Sequence, residues 1–230
     1  MLRLFYCGFI FISTMCFAQE GVLKVSFFGY DDAIELRNDS CEVVLTPAVG
    51  GKIMKFALNG KDVIMRVESE QGYHYDPKVK DRFMNSGGRF DVGPVDIVPR
   101  SPVQTRGAWK ANVLGDRHVL MESAYDPNNG LQLEREVVLV SDAPKLVLTH
   151  RMINRSDRVV RANHWSRVLA KGNGIGIVPV TPPVFLPESY GFVHEGALLM
   201  RPPKDGAVYR KDDYLVIAGQ PAYKKLLFDT

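Results

Sequence analysis

The sequence predicts an all-β fold, an antiparallel sandwich, and three observations carry that expectation. Short runs rich in Val, Ile, Leu, Phe and Tyr recur along most of the 230 residues, with turn-forming residues between them. Asn59-Gly60 joins two such runs, a strong hairpin signal because a type I′ turn needs positive φ at both central positions. No window of eleven or more residues places apolar side chains at helical spacing.

In chain order, the first residues stand apart. Met1-Leu2-Arg3 supplies a short positive start, residues 4–17 are almost uninterruptedly apolar, and Ala18 is a small residue where a cleavage site needs one. Residues 1–18 therefore read as a secretory signal peptide, with Gln19 as the mature N-terminus and a secreted or periplasmic destination. The apolar run is shorter than the roughly 20 residues that a spanning helix requires. Cys7 and Cys16 leave with this segment, so only Cys41 remains and no internal disulfide or cysteine-based zinc cluster can form. Net charge falls from +3 to +2 as Arg3 leaves, and acids and bases are interspersed throughout. That pattern gives no reason to expect a nucleic-acid partner, or a membrane partner once the signal is gone. It leaves the oligomeric state open.

Residues 19–230 are expected to form one domain. A first series of strands is expected at 22–28, 33–37, 42–46, 52–58 and 62–67, punctuated by Gly29-Tyr30-Asp31-Asp32, Asn38-Asp39, residues 47–51 and Asn59-Gly60. A second is expected at 118–125, 131–140, 145–154, 159–170 and 175–180, and a third at 197–201, 207–210 and 214–218. Between the first two series, residues 68–110 read as a long irregular segment. It holds Tyr73, His74, Tyr75, Phe83, Phe90 and Trp109, and a loop of such length is usually functional or disordered. Its aromatic content argues against disorder.

The stretch RANHWSRVLA, residues 161–170, is the first candidate for chemistry. In a strand, alternate side chains share a face. One face then carries Arg161, Asn163, Trp165 and Arg167, and the other Ala162, His164, Ser166 and Val168. A flat ring beside amide and guanidinium groups suits a sugar, which offers apolar C–H faces and many hydroxyls; a solvated strand face with one packed tryptophan is the plainer alternative. His164 lies among small apolar neighbours, which suit either a core histidine or a proton donor poised near neutrality. His150 falls on the preceding expected strand and can lie close to it. In NSGGRFDVGP, residues 85–94, adjacent glycines allow close backbone approach, and Arg89 and Asp91 follow at once. Two histidines without a placed carboxylate do not define a metal site, and no cofactor is expected. Gly172-Asn-Gly-Ile-Gly176 precedes a strand rather than a helix and is no phosphate loop.

Several of these stretches, taken together, resemble galactose mutarotase-like (aldose 1-epimerase-like) domains. They are residues 34–65, with their Gly50-Gly51 turn and Asn59-Gly60 hairpin, and NSGGRFDVGP, Trp109, GLQLEREVVL and residues 153–180. The resemblance spans residues 33 to about 180 and points to an exported branch of that superfamily. It implies a β-supersandwich that binds a sugar on a concave sheet, with His164 as acid and Arg89, Asp91, Trp109, His150, Asn163, Trp165 and Arg167 around the ligand. It also implies a second, catalytic glutamate on a late strand and a further active-site histidine upstream. At the upstream position this chain carries Asn85-Ser-Gly-Gly, and Glu188 and Glu195 match no motif of the family. The expectation is therefore a carbohydrate-binding protein with little or no mutarotase activity. The alternative is an aldose 1-epimerase-like isomerase that interconverts anomers by general acid–base catalysis.

Overall fold

The computed structural model describes residues 19–79, 84–94, 97–182, 184–201, 203–220 and 226–228. The expected signal segment 1–18 and Phe83 lie outside the described residues. Two compact units divide the chain, one ending at Ala170 and the other beginning at Lys171. All strand pairing between named strands is antiparallel, so the chain is all-β as its sequence predicts. Among the described residues no helix is long and apolar enough to cross a membrane.

The first unit opens with a five-stranded meander: β1 (Val22–Phe27), β2 (Tyr30–Arg37), β3 (Cys41–Thr46), β4 (Lys52–Leu58) and β5 (Lys61–Asp62). A single 3-10 turn follows at Glu68–Glu70, then β6 (Arg89–Gly93) and a short helix α1 (Pro102–Arg106). A second sheet is built from β7 (Lys110–Gly115), β8 (His118–Glu122), β9 (Leu131–Leu139) and β10 (Leu146–Asn154), in the order β10-β9-β8-β7. The last strand of the unit, β11 (Asn163–Arg167), pairs with β6 and, among the described residues, with no other strand.

The two large sheets form a sandwich because each has one apolar face. Leu36, Val43, Leu45 and Ile53 from the meander meet Val119, Met121, Leu131, Leu133, Val137 and Leu139 from the second sheet, with Phe90 and Trp109 in the same core. The alternation in β9 is strict: residues 131, 133, 135, 137 and 139 are buried and those between are half-buried. Burying each of these Leu and Val side chains contributes about 1.5–3 kcal/mol. Trp109 is tied in by two neighbours. Its indole N–H donates to the Gln104 carbonyl at 2.7 Å, and its ring lies where a Cβ on Gly51 would come within 2.5 Å. Gly51, at φ 51°, thus gives the turn its left-handed backbone and leaves room for the ring.

The second unit contains β12 (Ile175–Pro179), β13 (Tyr190–His194), β14 (Ala197–Leu199), β15 (Val208–Lys211), β16 (Tyr214–Ala218) and β17 (Leu226–Phe228). They form two three-stranded sheets, β12-β16-β15 and β14-β13-β17. Val180, Phe192, Val208 and Leu215 make its buried core.

Several local expectations change. The run at 62–67 pairs only at its start, as β5; beyond it a single bridge joins Ile64 to Ala170. The irregular segment 68–110 contains β6 and α1. The start of α1 is written in Ser101-Pro102-Val103-Gln104: the Ser101 hydroxyl accepts from the Gln104 N–H at 3.3 Å, and Pro102 fills the first turn. β7 and β13 also escape the sequence pattern. Lys110-Ala-Asn-Val-Leu-Gly115 has few strand formers and takes its conformation from pairing with β8 across a two-residue turn, where Arg117 sits at φ 52°.

Candidate functional site

The β6–β11 ribbon builds the site. Its register pairs Arg89 with Arg167, Asp91 with Trp165 and Gly93 with Asn163, and so puts these six on one face. Phe90 with Ser166 and Val92 with His164 take the other face. The alternation expected for residues 159–170 therefore holds in the strand that forms, which is shorter. It has a consequence for the expected site. Arg89, Asp91, Asn163, Trp165 and Arg167 come together, while His164 points away from them. A sugar held on the first face has His164 behind the ribbon, because strand parity puts neighbouring residues on opposite sides.

On the first face, Asp91 is 7% exposed and gathers two guanidiniums. Arg89 Nε approaches Oδ2 at 2.9 Å, and Arg167 Nε and Nη2 donate to the same oxygen at 2.8 and 2.5 Å. Arg89 is fixed further by donating to the Met84 carbonyl at 2.9 Å. Trp165 is 42% exposed. Its ring rests where a side chain on Gly93 would collide, and the Arg167 guanidinium lies 5.3 Å from the ring centre.

An open cleft of about 690 Å³, part of it solvent, adjoins this face. Lys52, Arg89, Asp91, Arg100, Arg106 and Arg167 supply its charged lining. Lys52 is fully buried and donates to the Ser86 carbonyl at 3.1 Å; burial, foremost, pushes its ammonium down to about 8. Glu70, also buried, accepts from the backbone N–H groups of Asn85 and Ser86. Burial opposes ionisation of its carboxyl, but these hydrogen bonds and Lys52 outweigh it and hold the pKa below the usual range.

Behind the ribbon lies a histidine pair. His150 Nδ1 is 2.9 Å from His164 Nε2, Ser166 Oγ is 2.8 Å from the same His164 nitrogen, and Phe90 stacks on His150 at 4.5 Å. The two histidines come together although β10 and β11 are not neighbours in any sheet. Arg135 fixes the tautomer of His150. Its Nε donates to His150 Nε2 at 3.0 Å, so that nitrogen is an acceptor and the proton of the neutral ring sits on Nδ1. His150 Nδ1–H then donates to His164 Nε2. Burial, then the charge of Arg135, then His164 drive His150 down to about 3. Arg135 itself is buried, its remaining bonds going to the Gly51 and Gly88 carbonyls at 2.6 and 3.1 Å; burial lowers it to about 10.

Other expectations fall elsewhere. Trp109, expected beside the ligand, is 5% exposed and packed in the sandwich core, where Gly51 admits its ring. Glu188 and Glu195 are exposed residues of the second unit. The sequence reading missed Lys52, Arg100, Arg106 and Arg135. Arg135 had a visible signal: it occupies an inward position of β9, between Leu133 and Val137.

No protein-family model matches the chain, and no curated protein matches it. Among solved structures, it is similar to the 4-alpha-glucanotransferase from Thermococcus litoralis, at 16% identity with a TM-score of 0.37. The match covers 57% of this chain and 24% of that one.

Proposed function

We propose that this chain is an exported carbohydrate-binding protein of the galactose mutarotase-like class and that the sugar lies against Trp165. The observation that carries the reading is the composition of one ribbon face. A half-exposed indole stands beside Asp91, Arg167 and Asn163, all brought to the same side by strand register. Sugars bind where a ring meets the C–H face and fixed polar groups meet the hydroxyls. The resemblance of residues 33–180 to mutarotase-like domains supports the class, and the apolar segment before Gln19 supports export.

The chain has two tryptophans, and Trp109 is sealed in the core. A fluorescence change on titration with a panel of monosaccharides and oligosaccharides therefore reports on Trp165. The expected result is saturable quenching or a spectral shift that Trp165→Ala removes. A silent panel, or an unchanged response in the variant, refutes the site.

The histidine pair favours a second reading, acid–base catalysis at an anomeric centre. His164 is exposed and its Nε2 is occupied by His150 and Ser166, which leaves Nδ1 as the proton-bearing atom of the neutral ring. Polarimetry of fresh α-galactose decides between the two. The binding reading expects decay at the buffer rate; acceleration that disappears in His164→Ala establishes the isomerase.

A further inference from the structure

We propose that the cleft beside Trp165 receives an anionic group carried by the sugar, a carboxylate or a sulfate, gripped by Arg100 and Arg167. The inference rests on the sugar-binding reading for what carries the anion; the cleft itself argues for the charge.

Among the described residues that line the cleft, five side chains are cationic and one, Asp91, is a carboxylate. Asp91 is already committed, its Oδ2 shared by Arg89 and Arg167. Glu70, the other buried carboxylate nearby, spends its oxygens on backbone N–H groups. Among the described residues the lining thus carries more positive than negative charge, and two of its members hold unused donors. Arg167 uses Nε and Nη2 on Asp91, and its Nη1 has no acceptor among the described residues. Arg100 is exposed at the cleft and has no ion-pair partner among the described residues.

Lys52 strengthens the argument from behind. It lies fully buried in the wall of the cleft, and a charge in a low-dielectric wall is poorly screened and projects its field into the opening. Burial, foremost, lowers its pKa to about 8, and Glu70 offsets part of that shift. An anion in the cleft would improve its situation, and it would accept hydrogen bonds from a guanidinium fork shaped for carboxylate and sulfate oxygens. A neutral sugar offers no such return.

The test is calorimetric titration of the full chain with galactose, galacturonate, galactose 6-sulfate and inorganic sulfate, in the wild type and in Arg100→Ala. Arg100 is exposed, so the substitution leaves the fold intact. Binding of one or both charged sugars is expected, at least about tenfold tighter than galactose, with a loss of about tenfold in Arg100→Ala. It should weaken as salt rises from about 50 to about 300 mM. Which charged sugar binds identifies the anion. Galactose binding as tightly as both charged sugars, unaffected by Arg100→Ala, overturns this inference and leaves the sugar reading standing. Binding of inorganic sulfate alone, lost in Arg100→Ala, keeps the anion site and overturns the sugar reading. Silence from all four probes overturns both.

Discussion

Arg135 occupies a position where the alternation of β9 calls for an apolar side chain. A guanidinium survives there because its donors find the Gly51 and Gly88 carbonyls and the His150 ring nitrogen. It thereby ties the β3–β4 turn to the start of β6 and fixes a histidine tautomer. This has a consequence for pH. His150 titrates near 6.5 in an unfolded chain and at about 3 when folded. Between those values the unfolded state binds a proton that the folded state refuses, so stability rises with pH through the window and is fully present above it. Acidification below about pH 6.5 therefore destabilises the fold. In His150→Gln the amide oxygen can still accept from Arg135, but the titration is gone. Urea midpoints measured from pH 7.5 down to 4.5 should fall less steeply in His150→Gln than in the wild type. Parallel slopes would show that His150 is not held neutral.

At the scale of elements, the β6–β11 ribbon depends on one carboxylate. Asp91 lies between Arg89 and Arg167 on the face that β6 and β11 share. Removing it takes away the carboxylate that both guanidiniums share. Asp91→Ala should destabilise the first unit by about 2–4 kcal/mol, the lower end favoured by the partial exposure of Arg167. It should also loosen Trp165, so a red shift of the native emission spectrum is expected before any denaturant is added. Unchanged stability would mean that the ribbon is held by its hydrogen bonds alone. Sequence reading found the faces of this ribbon but not its partner strand. Residues 145–154 and 159–170 read as successive strands joined by a short polar turn, close enough to bring His150 near His164. The chain instead pairs β10 with β9 and reaches back to β6 for β11. Local alternation specifies which side chains share a face, whereas pairing across some seventy residues is decided by core packing. The cleft was illegible for the same reason: Lys52, Arg100 and Arg106 meet Arg167 only through tertiary structure.

On the scale of the whole molecule, the chain divides at Ala170 and Lys171. Each side has a core of its own. The first unit holds two clusters of buried residues, the larger drawn from both sheets of the sandwich. Among the described residues the second unit holds six buried hydrophobic side chains in about sixty positions, four of them in one core cluster, and a unit of that size buries too little surface to be more than marginally stable. The boundary is followed by Gly172 and Gly174, which have open space around them and no side chain to restrict the backbone. Lys171 is exposed at the junction. Brief digestion with trypsin should therefore cut after Lys171 and degrade the second unit first, because its local unfolding costs less. Mass spectrometry of the time course should show a fragment ending at Lys171 that accumulates. That fragment contains Arg135, His150, Asp91 and Trp165, so its urea midpoint should keep the pH slope of the intact chain between pH 7.5 and 4.5. Loss of the first unit at the same rate as the second would show that the two cores stand or fall together.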